Sequence, residues 1–132
     1  MWLGQLDPWA QALASQAQQD GLPLELPGFV ADSLAWYREA AVYLLTSRED
    51  AGPATAIHAA AVGTGFVGLA HRIGLRGVAD PALGRFVPAD DLDGLVDEAL
   101  RLARQDGPAQ RRGRRRWVRQ NVSFDAYVAA LI

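Results

Sequence analysis

The chain contains no cysteine, which excludes disulfides, thiolate chemistry and cysteine-ligated zinc. Lysine is missing as well, so that all 13 basic residues are arginine; with abundant Ala and Gly this has the look of a GC-rich coding bias and carries no functional information. There is no apolar run of membrane-spanning length and no charged-then-apolar leader at the start. Those absences point to a cytoplasmic protein whose contact with a membrane would be peripheral. The two histidines, His58 and His71, have neither a regular ligand spacing nor acidic partners, so no metal site is expected. Internal repeats and low-complexity linkers are also lacking.

What is present suits one domain, residues 1–132, built on one core: half of the 132 residues are hydrophobic. The formal net charge of −2 hides an uneven distribution. Residues 1–106 carry 7 Arg against 14 acids, giving −7, and residues 107–132 carry 6 Arg against 1 acid, giving +5. The basic end is concentrated in Arg111, Arg112, Arg114, Arg115, Arg116 and Arg119. Such a run fits phosphate or an anionic membrane surface. Only Trp117 lies among these arginines, so a stacking surface for nucleic acid is not indicated and no nucleic-acid partner is expected.

Along the chain, Met1-Trp2-Leu3 reads as a short strand ending at Gly4. Asp7-Pro8 is an N-cap followed by a first-turn proline, opening a helix with Trp9, Leu13 and Ala17 on one face that stops at Gly21. Leu22–Leu26 alternates weakly as a second strand, Pro27-Gly28-Phe29-Val30 is a turn, and Ser33 caps a short helix. Ala41–Leu45 and Phe66–Ala70 are continuous apolar runs of buried-strand type, and Arg85-Phe86-Val87-Pro88 reads as a short edge-like strand, since proline belongs at strand ends. Residues 71–84 form a glycine-punctuated loop. In Asp91–Gln105, Leu92, Leu95, Val96, Ala99, Leu100 and Ala103 recur with helical period. A basic helix over Ala109–Asn121 and a short apolar one over Ser123–Ile132 close the chain. Strands alternating with helices predict an α/β fold: a Rossmann-like parallel sheet with helices on both faces.

Ala41–Val62 is the stretch that points to function. A buried strand runs into the polar turn Thr46–Pro53 and then into an Ala-rich helix from Ala54. Ligands of open parallel sheets bind outside the carboxyl ends of strands, where a loop feeds a helix N-terminus.

The order of these segments resembles the C-terminal, donor-binding domain of family-4 glycosyltransferases of the GT-B fold. The likeness is carried by Pro27-Gly28-Phe29-Val30, Leu34–Ala40, Val42–Asp50, Gly63–Ala70, Phe86-Val87-Pro88-Ala89-Asp90 and Phe124-Asp125-Ala126-Tyr127. The resemblance implies transfer of a sugar from a nucleotide-diphosphate donor, with no cofactor and no obligatory metal. It places Asp50 at the catalytic post beside the donor sugar and His58 at the ribose. The phosphate-facing turn would be Ala51-Gly52-Pro53-Ala54-Thr55, Phe29 and Val30 would flank the base, and Gly4 and Gly74 are the glycines of neighbouring turns.

Several positions depart from the family pattern. Asp50 is one methylene shorter than the usual glutamate, His58 replaces a second glutamate, and Pro53 removes an amide donor. Gly77 stands near the position of a third glutamate. The family's first strand, central in its sheet, and its acceptor domain are not in this sequence. The implied partners are therefore a nucleotide-sugar donor and an acceptor domain or partner chain, with self-association through uncovered apolar surface. The chain alone should not turn over. The alternative is a non-catalytic interaction module derived from the same fold, binding a protein partner or an anionic surface.

Overall fold

The computed structural model describes residues 1–74 and 81–122. The chain divides into two compact units, residues 1–33 and 34–132. The closing segment 123–132, with Phe124–Tyr127, and the Gly77 position lie outside the described residues.

The first unit holds helix α1 (Pro8–Gln19). Its N-cap is Asp7, whose carboxylate accepts from the Ala10 amide at 2.8 Å, and Pro8 fills the first turn, where a missing N–H costs nothing. Ala14 is its buried residue, while Trp9 and Leu13 are exposed. The expected strands Met1–Leu3 and Leu22–Leu26 do not form. What forms instead is an isolated parallel bridge between Leu3 and Gly28 and a hydrogen bond from the Trp2 amide to the Glu25 carbonyl at 2.9 Å. Pro23 interrupts the second run and Pro27 directly follows it, and proline gives a ladder no donor.

In the second unit, helix α2 (Ser33–Glu39) precedes strand β1 (Tyr43–Leu45). A two-residue strand β2 (Glu49–Asp50) follows, then helix α3 (Ala54–Ala61), strand β3 (Phe66–Leu69) and a second two-residue strand β4 (Arg72–Ile73). Strand β5 (Gly84–Val87), helix α4 (Leu92–Gln105) and helix α5 (Pro108–Asn121) complete it. Strands β1, β3 and β5 form a parallel sheet in that order, with Tyr43 opposite Phe66 and Phe66 opposite Gly84. Among the described residues β1 has no second neighbour in this sheet, so it is an edge.

Side-chain alternation splits the core between the two sheet faces. Leu45 and Phe66 pack with Ala56 and Ala60 of α3 and Val118 of α5. Phe86 closes on Phe66 edge-on, with centroids 5.4 Å apart. On the other face Val67 and Leu69 pack with Leu95 and Ala99 of α4. The three-layer, Rossmann-like arrangement expected from the sequence is therefore what the chain adopts. Half of the α4 stripe behaves differently: Leu92, Val96 and Leu100 are exposed, as is Leu44 on β1.

Helix α5 is fixed by arginines rather than by apolar area alone. Arg114, 3% exposed, donates to the Gly63 and Ala82 carbonyls at 3.0 Å and pairs with Asp106. Arg111 donates to the Arg38 carbonyl at 2.9 Å, the Ala40 carbonyl at 2.6 Å and the Thr64 hydroxyl at 3.0 Å. Arg115 donates to the Val62 carbonyl at 3.2 Å. These acceptors end α2 and α3 or precede β1, β3 and β5, so the network ties the amino ends of the sheet together. Carbonyls at helix ends lack ladder donors and carry the negative end of the dipole, which suits guanidinium. The expected surface of six arginines thus narrows to three: Arg112, Arg116 and Arg119 remain exposed.

Candidate functional site

The opposite, carboxyl end of the sheet carries the loop singled out by the sequence. Leu45 anchors β1 in the core at 2% exposure, and the chain then leaves the sheet at Thr46. The polar turn is more ordered than its composition suggests. Glu49 and Asp50 pair in parallel with Arg72 and Ile73, and the Arg72 amide donates to the Arg48 carbonyl at 3.0 Å. Glu49 and Arg72 also form an exposed ion pair at 3.2 Å. Sequence reasoning missed this β2–β4 ladder. Two-residue strands have no periodicity, and the charged run Arg48-Glu49-Asp50 reads as loop.

The ladder fixes Asp50. One of its carboxylate oxygens accepts from the Gly52 amide at 3.0 Å, closing a tight turn into α3. Gly74, directly after β4, rests on this turn: a Cβ there would stand 2.0 Å from the Ala51 carbonyl oxygen. Asp50, Gly52 and Gly74 are therefore brought together by the structure. Pro53 is buried and forms the N-cap of α3 without a side-chain cap bond. The first ladder bond of α3 runs from the Ala56 amide to the Pro53 carbonyl at 3.1 Å. The amides of Ala54 and Thr55 precede that bond, at the positive end of the helix dipole.

Thr55 is held from below: the Tyr43 hydroxyl of β1 donates to its Oγ1 at 2.8 Å. Tyr43 in turn stacks edge-on against Tyr37, with centroids 5.5 Å apart. His58 lies on α3 three residues beyond Thr55, a spacing that puts both on one helix face, and both are exposed. The arrangement offers backbone donors at a helix N-terminus, one fixed carboxylate and one exposed imidazole. Among the described residues no group of His, Asp and Glu could hold a metal ion.

Gly4, Phe29 and Val30 belong to the first unit. There the Gly4 amide donates to the Gly28 carbonyl at 2.8 Å, which sets the two glycine turns side by side. Both glycines take left-handed backbone, φ +105° and +73°, where a side chain would be strained. Phe29 is 82% exposed beside this turn and Val30 is partly covered.

A two-faced α/β unit with parallel strands and a loop feeding a helix N-terminus at their carboxyl ends is a Rossmann-like class of fold. Comparison with known families narrows it: residues 2–105 match the model described as "Glycosyl transferases group 1". The chain belongs to the group 1 glycosyltransferases. No curated protein matches it significantly. Among the described residues no helix is long and apolar enough to cross a membrane.

Proposed function

We infer that the chain is the donor-binding half of a glycosyltransferase, holding a nucleotide-diphosphate sugar at the β1–α3 loop. The observation that carries this reading is the turn built from Asp50, Gly52 and Gly74 and pinned by the β2–β4 ladder, within a chain of the group 1 family. The amides of Ala54 and Thr55 and the α3 dipole receive phosphate oxygens. One oxygen of Asp50 stays on Gly52, and the other accepts from a hydroxyl of the donor sugar. His58 hydrogen-bonds a ribose hydroxyl. Sugar transfer takes place once an acceptor-binding wall, from another domain or partner chain, faces this loop.

Calorimetric titration with UDP- and GDP-sugars tests the reading. Heat with one nucleotide class, weakened at least tenfold in Asp50→Ala, is expected. No heat from either class at millimolar concentration would sink it.

A second reading, a non-catalytic interaction module, is favoured by the uncovered Leu44, Leu92, Val96 and Leu100. Light scattering decides on it. A monomer at all concentrations, with no binding of a hydrophobic dye, counts against the module.

A further inference from the structure

The six arginines of α5 fall into two sets with different partners. Arg111, Arg114 and Arg115 point back into the protein and are spent on carbonyls, Thr64 and Asp106. Arg112, Arg116 and Arg119 are exposed, and among the described residues none of the three has an ion-pair partner. Their spacing of four and then three residues aligns them on one face, over roughly 10 Å of helix axis at about 1.5 Å per residue. Helix α5 contains no acidic residue to neutralise the row. The second set of arginines is therefore a rigidly mounted cationic strip, because the first set locks the helix that bears it.

We propose that this strip docks the protein on an anionic phospholipid bilayer. Charge complementarity sets the sign of the partner, and the chemistry around the strip selects a bilayer over a polynucleotide. The one aromatic residue of α5, Trp117, packs against the core and is not offered to bases. The long arginine stems lie along the surface while their guanidinium groups reach lipid phosphates, a geometry in which planar forked donors pair two oxygens at once. The proposal is independent of nucleotide-sugar binding, which is placed at the other end of the sheet.

Co-sedimentation with vesicles tests it. The full chain is mixed with phosphatidylcholine vesicles and with vesicles containing phosphatidylglycerol, at low and physiological salt. Binding only to the phosphatidylglycerol vesicles, weakening with salt, is the expected result. Each arginine near such a surface contributes roughly a fivefold gain in partitioning, so Arg112→Gln/Arg116→Gln/Arg119→Gln should lower binding by about two orders of magnitude. All three side chains are exposed, and an unchanged melting curve verifies that the variant folds. Arg104→Gln, which removes an exposed arginine from α4, should bind within a few-fold of the parent. Equal binding by the triple variant, binding to neither vesicle, or tighter retention by a DNA or RNA duplex at the same salt would overturn the proposal.

Discussion

Replacing Arg114 by alanine removes the centre of the network that joins α5 to the amino ends of the sheet. The side chain is 3% exposed and donates to two backbone carbonyls and to Asp106, itself only 6% exposed. A hydrogen bond involving a charged group contributes about 1.5–3 kcal/mol. Three such bonds do not simply add, because desolvating the guanidinium opposes them. The larger effect is what stays behind: a buried carboxylate with only Arg111, and the buried Gly63 carbonyl stripped of the donor that Arg114 supplied. Breaking a buried pair from one side costs about 3–5 kcal/mol. For a chain of this size that is a fall in melting temperature of about 10–20 °C. Urea unfolding followed by circular dichroism measures it, with Arg112→Ala as the comparison. Arg112 is exposed, and its loss should change stability by less than about 0.5 kcal/mol. A cycle with Asp106→Asn should show strong coupling to Arg114. If Arg114→Ala unfolds within about 1 kcal/mol of the parent, the role given to the network is wrong.

Other consequences are smaller or more local. Gly74→Ala should displace the Ala51 turn, since its Cβ would fall 2.0 Å from a backbone oxygen; nucleotide-sugar binding should drop at least tenfold by calorimetry while the chain still melts cooperatively. Tyr43→Phe deletes the donor to Thr55 and should cost about 0.5–1 kcal/mol in urea unfolding, as for a partly exposed neutral hydrogen bond. The Glu98 carboxyl is held below the usual glutamate range, chiefly by its hydrogen bond from Arg101 and also by the charge of Arg85, against an opposing push from burial. A depressed folded value means stability that is present above the unfolded value and lost as pH falls through the folded one. Glu98→Gln should therefore flatten the decline in urea midpoint below about pH 4.5 and leave the neutral-pH slope unchanged.

The elements with strong periodicity or clean caps were legible in the sequence. Asp7-Pro8 opens α1, the Leu95 and Ala99 stripe faces the sheet from α4, and Leu45, Phe66 and Val67 are core strand residues. The parallel, two-faced architecture followed from their alternation. What was not legible depended on long-range pairing. The β2–β4 ladder joins residues more than twenty positions apart through two-residue strands, and nothing in Glu49-Asp50 or Arg72-Ile73 announces it. Met1–Leu3 and Leu22–Leu26 have strand composition and share the hydrogen bond from Trp2 to Glu25, but they form no ladder, because composition does not supply a register. The arginine run shows the same limit. Arg111, Arg114 and Arg115 look no different from Arg112, Arg116 and Arg119 in the sequence, and only the carbonyls facing α5 separate them. At the candidate site the sequence supplied the residues Asp50, Gly52, Thr55, His58 and Gly74. The structure added the reason that Asp50, Gly52 and Gly74 form one turn.

The most direct test of donor binding is an amide NMR titration of the 15N-labelled chain with UDP- and GDP-sugars. The account predicts saturable shifts, with one nucleotide class, at the Gly52, Ala54, Thr55 and Gly74 amides, saturating at concentrations at least tenfold higher in Asp50→Ala. Saturable shifts confined to other amides, or no shifts with either class, would contradict it.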